Sequence, residues 1–245
     1  MGQCIAVVSG KGGTGKTSFT AGVGAALALS GLRVLCVDCD IGLRNLDIAL
    51  GLSDAALMDF SDVAQQRCTL ERAVVSHPQL AKLSLLTAPI RQRGQPVTGE
   101  QMASLLRAVR IQYDFCLLDA LGDGFLLATA AADRCVVVTT ADASSLRDAQ
   151  HTVMELGRFG PGKLHLVVNR VRKKLLRSMH ATIDDAMDKA GLPLLGVVPE
   201  DDALPLALNR GSPILLSAPA SPASSAYRNI ATRLRGGKAP LLRIK

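Results

Sequence analysis

Two lysines set among glycines carry the first chemistry of this chain: Ser9-Gly10-Lys11-Gly12-Gly13-Thr14-Gly15-Lys16-Thr17-Ser18. The string fits G-x-x-x-x-G-K-T, follows the apolar run Ile5-Ala6-Val7-Val8 and precedes a small-residue helical stretch from Phe19 to Ser30. Strand, glycine loop and helix in that order are what a phosphate-binding loop requires. Gly10, Gly12, Gly13 and Gly15 let the backbone approach a polyphosphate, so that loop amides converge on anionic oxygens. Thr14 and Ser18 complete the loop residues expected to contact the nucleotide, and the helix start adds its positive dipole end. Lys16 is expected over the β- and γ-phosphates. The Thr17 hydroxyl is expected to complete a Mg²⁺ shell otherwise filled by phosphate oxygens and water.

Three further strand ends carry polar groups. The second apolar run closes in Val37-Asp38-Cys39-Asp40. In an open parallel sheet ligands gather at the carboxyl ends of the strands, so Asp38 and Asp40 are expected beside the phosphates. A carboxylate there orients an attacking water or holds a Mg²⁺-bound one. Phe115-Cys116-Leu117-Leu118-Asp119 is an apolar run closing on a single aspartate, the pattern that binds Mg²⁺ through water. Val168-Asn169-Arg170 ends a later run in an amide, which donates and accepts at once and suits the edge of adenine. Ser144 is a candidate helix N-cap.

With its second lysine, the loop K-G-G-T-G-K-T resembles the deviant Walker A motif of the MinD/ParA family of ATPases. That resemblance implies a P-loop NTPase fold, ATP and Mg²⁺ as ligands, and a homodimer formed on ATP, with Lys11 reaching the partner's nucleotide. Asp38 to Asp47, D-x-D-I-G-L-R-N-L-D, is similar to switch I of the MinD branch; it implies that Asp40 positions water and Asp38 supports the metal. Thr139 to Asp148 resembles the family's T-T-x-x-x-S-S-x-R-D and implies that Arg147 and Asp148 lie near the dimer and regulator surface. Asn169 matches the base-reading position, and Val198-Pro199-Glu200-Asp201 the loop that closes over the base, which adds Pro199 and Glu200 to the site. The branch implies control of bacterial division-site placement, with inhibitor and regulator partners of the MinC and MinE type.

Two features depart from the pattern. Asp119-Ala120-Leu121-Gly122-Asp123-Gly124 lacks the proline of the usual D-x-P-A-G switch II segment and reaches Ala132-Asp133 sooner, which puts partner-stimulated hydrolysis in question. The branch generally ends in an amphipathic membrane helix. Here Tyr227 to Arg235 reads as the last core helix, and 236–245 as a short basic, partly apolar tail suited only to weak contact with an anionic membrane surface. Two other readings therefore stand beside a working ATPase: a catalytically weakened nucleotide-gated scaffold, and a ParA-like ATPase on DNA.

The elements that must position these groups follow from the apolar pattern. Continuously apolar runs near 3–8, 33–38, 83–87, 114–118, 135–139, 164–168 and 194–198 alternate with helical stretches near 16–30, 56–66, 99–111, 144–157, 178–190, 203–210 and 222–235. Strands buried on both faces read this way, which predicts an α/β fold with a mostly parallel, doubly wound sheet, in a single domain over 1–235. At 245 residues, 48% hydrophobic and 3% aromatic with no Trp, the core must be aliphatic. No apolar run is long enough to span a bilayer and no export signal is visible, so a cytoplasmic protein, peripheral on membrane at most, is expected. The six cysteines fall mostly inside apolar runs and read as reduced thiols; Cys36 and Cys39 are expected on opposite strand faces. The four histidines show no metal spacing. Charge is uneven: residues 1–157 hold 13 Lys/Arg against 15 Asp/Glu, residues 158–245 hold 15 against 6. The basic run Arg170, Arg172, Lys173, Lys174 and Arg177 has no interleaved aromatics to stack bases, which argues against nucleic acid.

Overall fold

The computed structural model describes residues 1–53, 55–91 and 94–241. Among them eight strands form one sheet: β1 (Gln3–Val8), β2 (Val34–Asp38), β3 (Val75–Ser76), β4 (Leu83–Leu86), β5 (Phe115–Asp119), β6 (Arg134–Thr139), β7 (Leu164–Val171) and β8 (Leu194–Pro199). Their order is β3-β4-β2-β5-β1-β6-β7-β8. Every neighbouring pair is parallel except β3 with β4. Side chains alternate across the pleat. Cys4, Ala6 and Val8 enter one aliphatic core, while Ile5 and Val7 enter the other.

Both faces are covered by helices. On one side lie α3 (Phe60–Ala64), α4 (Leu70–Ala73), α5 (Gly99–Gln112), α6 (Asp123–Ala131), α7 (Ala143–Glu155), α8 (Lys173–Ser178) and α9 (Ile183–Ala190). On the other lie α1 (Lys16–Leu29), α2 (Leu46–Leu50), α10 (Ala203–Asn209), α11 (Ile214–Ser217) and α12 (Pro222–Leu234). The doubly wound parallel sheet is as expected. None of these helices is long and apolar enough to cross a membrane.

The first helix is buried on nearly all sides because its small residues let neighbours come close. A Cβ on Gly22 would lie 2.3 Å from the Tyr227 ring of α12, and one on Gly24 2.6 Å from Cys36 Sγ. Phe19 then meets Tyr227 edge to face, with ring centroids 6.2 Å apart. This packing fixes the axis of the helix whose first turn carries Lys16 and Thr17.

Several elements differ from expectation. The stretch 56–66 is helical only from Phe60, because Asp59 caps it and forms a reciprocal capping box with Asp62. The stretch 178–190 is helical only from Ile183, because Thr182 caps α9 and forms a capping box with Asp185, and the separate helix α8 precedes it. The short α2, α4 and α11 and the two-residue β3 lack a sequence signal, since elements of this length exist only by tertiary support. The apolar α6 (D-G-F-L-L-A-T-A-A) has no polar face to betray it. Cys36 and Cys39 do face opposite cores, and all six cysteines are free. Gln92 and Arg93, and 242–245 of the tail, lie outside the described residues. Ahead of them the tail turns back along α12, where Asn229 Nδ2 donates to the Pro240 carbonyl at 3.1 Å and Arg233 Nε to that of Ala239 at 3.0 Å.

Candidate nucleotide site

The carboxyl ends of β1, β2, β5, β7 and β8 converge on a cavity of about 610 Å³. Its polar lining includes Gly12, Gly13, Gly15, Lys16, Thr17 and Ser18 of the glycine loop, Asp40 and Asn45 after β2, Asn169 and Arg170 of β7, and Glu200, Asp201 and Asp202 after β8. Leu43, Ile48, Leu121, Leu204, Pro205 and Leu208 supply apolar walls. The three α10 residues among these carried no sequence signal, because their helix reads as an ordinary core pattern. A flat heterocycle with a polyphosphate tail is what such a mixed cleft at a sheet's carboxyl edge can hold.

The glycine loop is built for close approach. A Cβ on Gly12 or Gly13 would meet nothing within 4 Å, and Gly13 and Gly15 hold φ of 81° and 90°, where a side chain is strained. Gly10 differs: a Cβ there would lie 2.3 Å from the Asp148 carbonyl oxygen, so its smallness is demanded by the packing of α7. Lys16 is buried although cationic, at the first position of α1.

Two carboxylates sit side by side behind the loop. Asp38 and Asp119 are direct neighbours across β2 and β5, the Cys39 amide donates to the Asp119 carbonyl at 2.8 Å, and both side chains are buried. Burial first, and the Asp119 charge second, push the Asp38 carboxyl up to about 7. Burial likewise raises Asp119 to about 6, opposed by the Thr17 hydroxyl and the Lys16 ammonium. Asp38 spends both oxygens on backbone: Oδ1 accepts from the Asp40 amide at 2.9 Å and Oδ2 from the Leu46 amide at 3.1 Å. It organises the loop that presents Asp40, whose half-buried carboxyl lines the cavity and is raised by burial against the pull of Lys16.

Asp119 Oδ1 is buried with no hydrogen-bond partner among the described residues, on a carboxyl that lies beside the Thr17 hydroxyl. A desolvated oxygen next to a hydroxyl fits a divalent cation completed by water and phosphate. Among the described residues no cluster of three or more His, Cys, Asp or Glu side chains offers an alternative metal cage. His77 instead accepts the Gln79 and Leu80 amides on Nδ1, both at 3.1 Å.

The remaining expected residues fall in distinct places. Lys11 is exposed on the loop's outer side and donates from Nζ to Ser144 Oγ at 3.1 Å. Ser144 is not the cap of α7. Asp142 is, because it is the last extended residue before the helix and its Oδ1 accepts the Ser145 amide at 3.0 Å, whereas Ser144 lies within the first turn and joins Thr140 and Ser145 in donating to it. Burial raises the Asp142 carboxyl, but these donors outweigh it and hold the group below its usual range. Thr14 lines a second, smaller cavity with Lys11 and Asp142, and its buried Oγ1 has no partner among the described residues. Asn169 is buried, with Nδ2 on the Thr14 carbonyl at 2.8 Å and Oδ1 without a partner among the described residues. Pro199 is buried at the end of β8, one residue behind the cavity-lining Glu200. Arg170 and Arg172, expected as part of a basic run, both pair with Glu200. Arg147 is exposed on α7. The altered switch II segment turns through Gly122, at φ 55°, straight into α6.

Residues 5–214 match the model of the CobQ/CobB/MinD/ParA nucleotide binding domain. The chain belongs to the MinD/ParA family. Within it, the chain is 36% identical to the septum site-determining protein MinD of Synechocystis, over 99% of this chain and 92% of that protein. Its fold matches MinD of Aquifex aeolicus, solved as a MinC:MinD cell division protein complex, with TM-score 0.89 and 33% identity over 99% of both chains. MinD of Pyrococcus horikoshii, solved with Mg-ADP, matches with TM-score 0.80 and 28% identity over 96% of both chains.

Proposed function

We propose that this chain is a Mg²⁺-dependent ATPase that dimerises on ATP and serves as a nucleotide-timed switch in division-site placement, with a MinC-type inhibitor as partner. The observation that carries the reading is the juxtaposition of Lys16 and Thr17 with the unpartnered oxygen of buried Asp119 at the carboxyl edge of the sheet. The names of its relatives, the Mg-ADP in one of them and the MinC in another agree with it.

In this reading the loop from Gly10 to Ser18 cradles the phosphates, and Asn169, Pro199 and Glu200 form the base end. Thr17 and Asp119 would hold Mg²⁺, and Asp38 keeps Asp40 at the cavity. Mg²⁺, when bound, neutralises charge on the β- and γ-phosphate oxygens. Asp40 orients the water for in-line attack on the γ-phosphate, while Lys16 stabilises the charge that develops. Lys11 leaves Ser144 to serve the ATP of the second subunit.

The test is ATP turnover of the purified protein, Lys16→Ala and Asp40→Ala, each with and without anionic liposomes and a MinC-type partner. Turnover should vanish in both variants, with ATP-dependent dimerisation surviving in Asp40→Ala alone. Wild-type turnover in Asp40→Ala would remove that residue from the chemistry. The abrupt passage from Gly122 into α6 favours a second reading, a scaffold gated by ATP binding, which predicts dimerisation with negligible turnover under every condition.

A further inference from the structure

A phosphate-binding loop that turns its amides inward must turn carbonyls outward, and those carbonyls need donors. Here two consecutive residues at the end of β7 supply them. Asn169 Nδ2 donates to the Thr14 carbonyl at 2.8 Å, and Arg170 Nη1 to the Gly13 carbonyl at 3.4 Å. Arg170 holds φ 54°, a region unfavourable for any residue with a Cβ, so its backbone is kept there by its surroundings. The guanidinium is tied on its other side as well: Nη2 donates to Glu200 Oε1 at 3.2 Å, and Arg172 Nε engages Glu200 Oε2. One carboxylate after β8 is thereby clasped by Arg170 of β7 and Arg172 just beyond it, and the first of these reaches the glycine loop. The Glu200 amide also donates to the Val171 carbonyl at 3.1 Å, which closes the link through the backbone.

We propose that Arg170 is a positioning residue for the glycine loop: it holds the Gly13 carbonyl outward while Glu200, fixed by Arg172, aims its guanidinium, and so ties the β8 end of the cleft to the phosphate end. This rests on the cavity being the ATP site. Arg170 lines the cleft where β7 ends and holds the loop by its carbonyl, so it preforms the concave face without meeting the reacting atoms. Its contribution therefore falls on nucleotide affinity, leaving the chemical step alone.

The test measures Mg-ATP binding by calorimetry, the KM and kcat of hydrolysis, and the unfolding midpoint of the nucleotide-free protein for Arg170→Asn, Arg170→Lys, Glu200→Gln and the Arg170→Asn/Glu200→Gln pair. Asn tolerates the left-handed backbone, so Arg170→Asn removes the guanidinium with little change in strain. A half-exposed charge-assisted bond corresponds to about a five- to tenfold change in affinity. Arg170→Asn should therefore raise Kd and KM about that much, with kcat and the unfolding midpoint unchanged. Arg170→Lys should recover part of the loss, and the double variant should lose clearly less than the sum of the two single losses. Wild-type affinity in Arg170→Asn, additive losses in the pair, or a loss confined to kcat would each overturn the proposal. Lys16→Ala, run alongside, separates the two readings: unimpaired ATP binding there would sink the site assignment itself, whatever Arg170 does.

Discussion

The adjacent carboxyls Asp38 and Asp119 make the stability of the nucleotide-free protein depend on pH in a direction opposite to that of ion-paired acids. Both have native pKa values, about 7 and about 6, above the unfolded value near 3.9. Between roughly pH 4 and pH 7 the native state therefore binds more protons than the unfolded chain, and stability present below that window is lost as pH rises through it. At about 1.4 kcal/mol for each pKa unit, the Asp38 shift corresponds to at most about 4 kcal/mol. Other groups act differently. Asp142, Asp114 and Asp185 are lowered and lose their contribution only as pH falls into the acid range. His77 and His165 are lowered by burial and act against the aspartates, favouring the native state as pH rises. The assay that isolates Asp38 is thus a difference: urea unfolding of the wild type and Asp38→Asn, without Mg²⁺ or nucleotide, at pH 5 and pH 8. The histidines cancel in that difference. Asp38→Asn loses a hydrogen-bond acceptor at both pH values but escapes the buried charge only at the higher one. Its stability relative to wild type should therefore improve by about 2–4 kcal/mol from pH 5 to pH 8. The same relative stability at both pH values would refute the reasoning.

Three other substitutions test packing and the loop. Gly22→Ala gains about 1 kcal/mol of helix propensity but drives a methyl to 2.3 Å from the Tyr227 ring; the net expectation is destabilisation by about 1–3 kcal/mol in chemical denaturation. Tyr227→Phe removes a buried hydroxyl that has no partner among the described residues, and should be neutral or stabilising by up to about 1 kcal/mol, where a loss would reveal a partner for that group. Gly15→Ala must force a Cβ into φ 90° and to 2.3 Å from Asn169 Nδ2, so Mg-ATP binding measured by calorimetry should fall at least tenfold, about 1.4 kcal/mol.

What the sequence by itself determined is local and periodic. Seven apolar runs became seven strands because residues buried on both faces of a parallel sheet must all be apolar, and the glycine string dictated the loop by which β1 feeds α1. The places of Asp38 and Asp119 were legible for the same reason: a charged residue that closes an apolar run falls at the carboxyl edge of the sheet, where β2 and β5 end. What only the tertiary structure decided depends on neighbours remote in the chain. Spacing alone gives no sign that Asp38 and Asp119 are in register, that Gly10 is small for the sake of α7, or that Asp142 rather than Ser144 caps that helix. Nor does a basic run reveal that Arg170 and Arg172 are spoken for by Glu200, since a charge some 30 residues away becomes a partner only once β7 and β8 pair. Local composition fixes which backbone a segment can adopt, but the energy of a buried polar group is set by what the fold brings to within hydrogen-bonding distance.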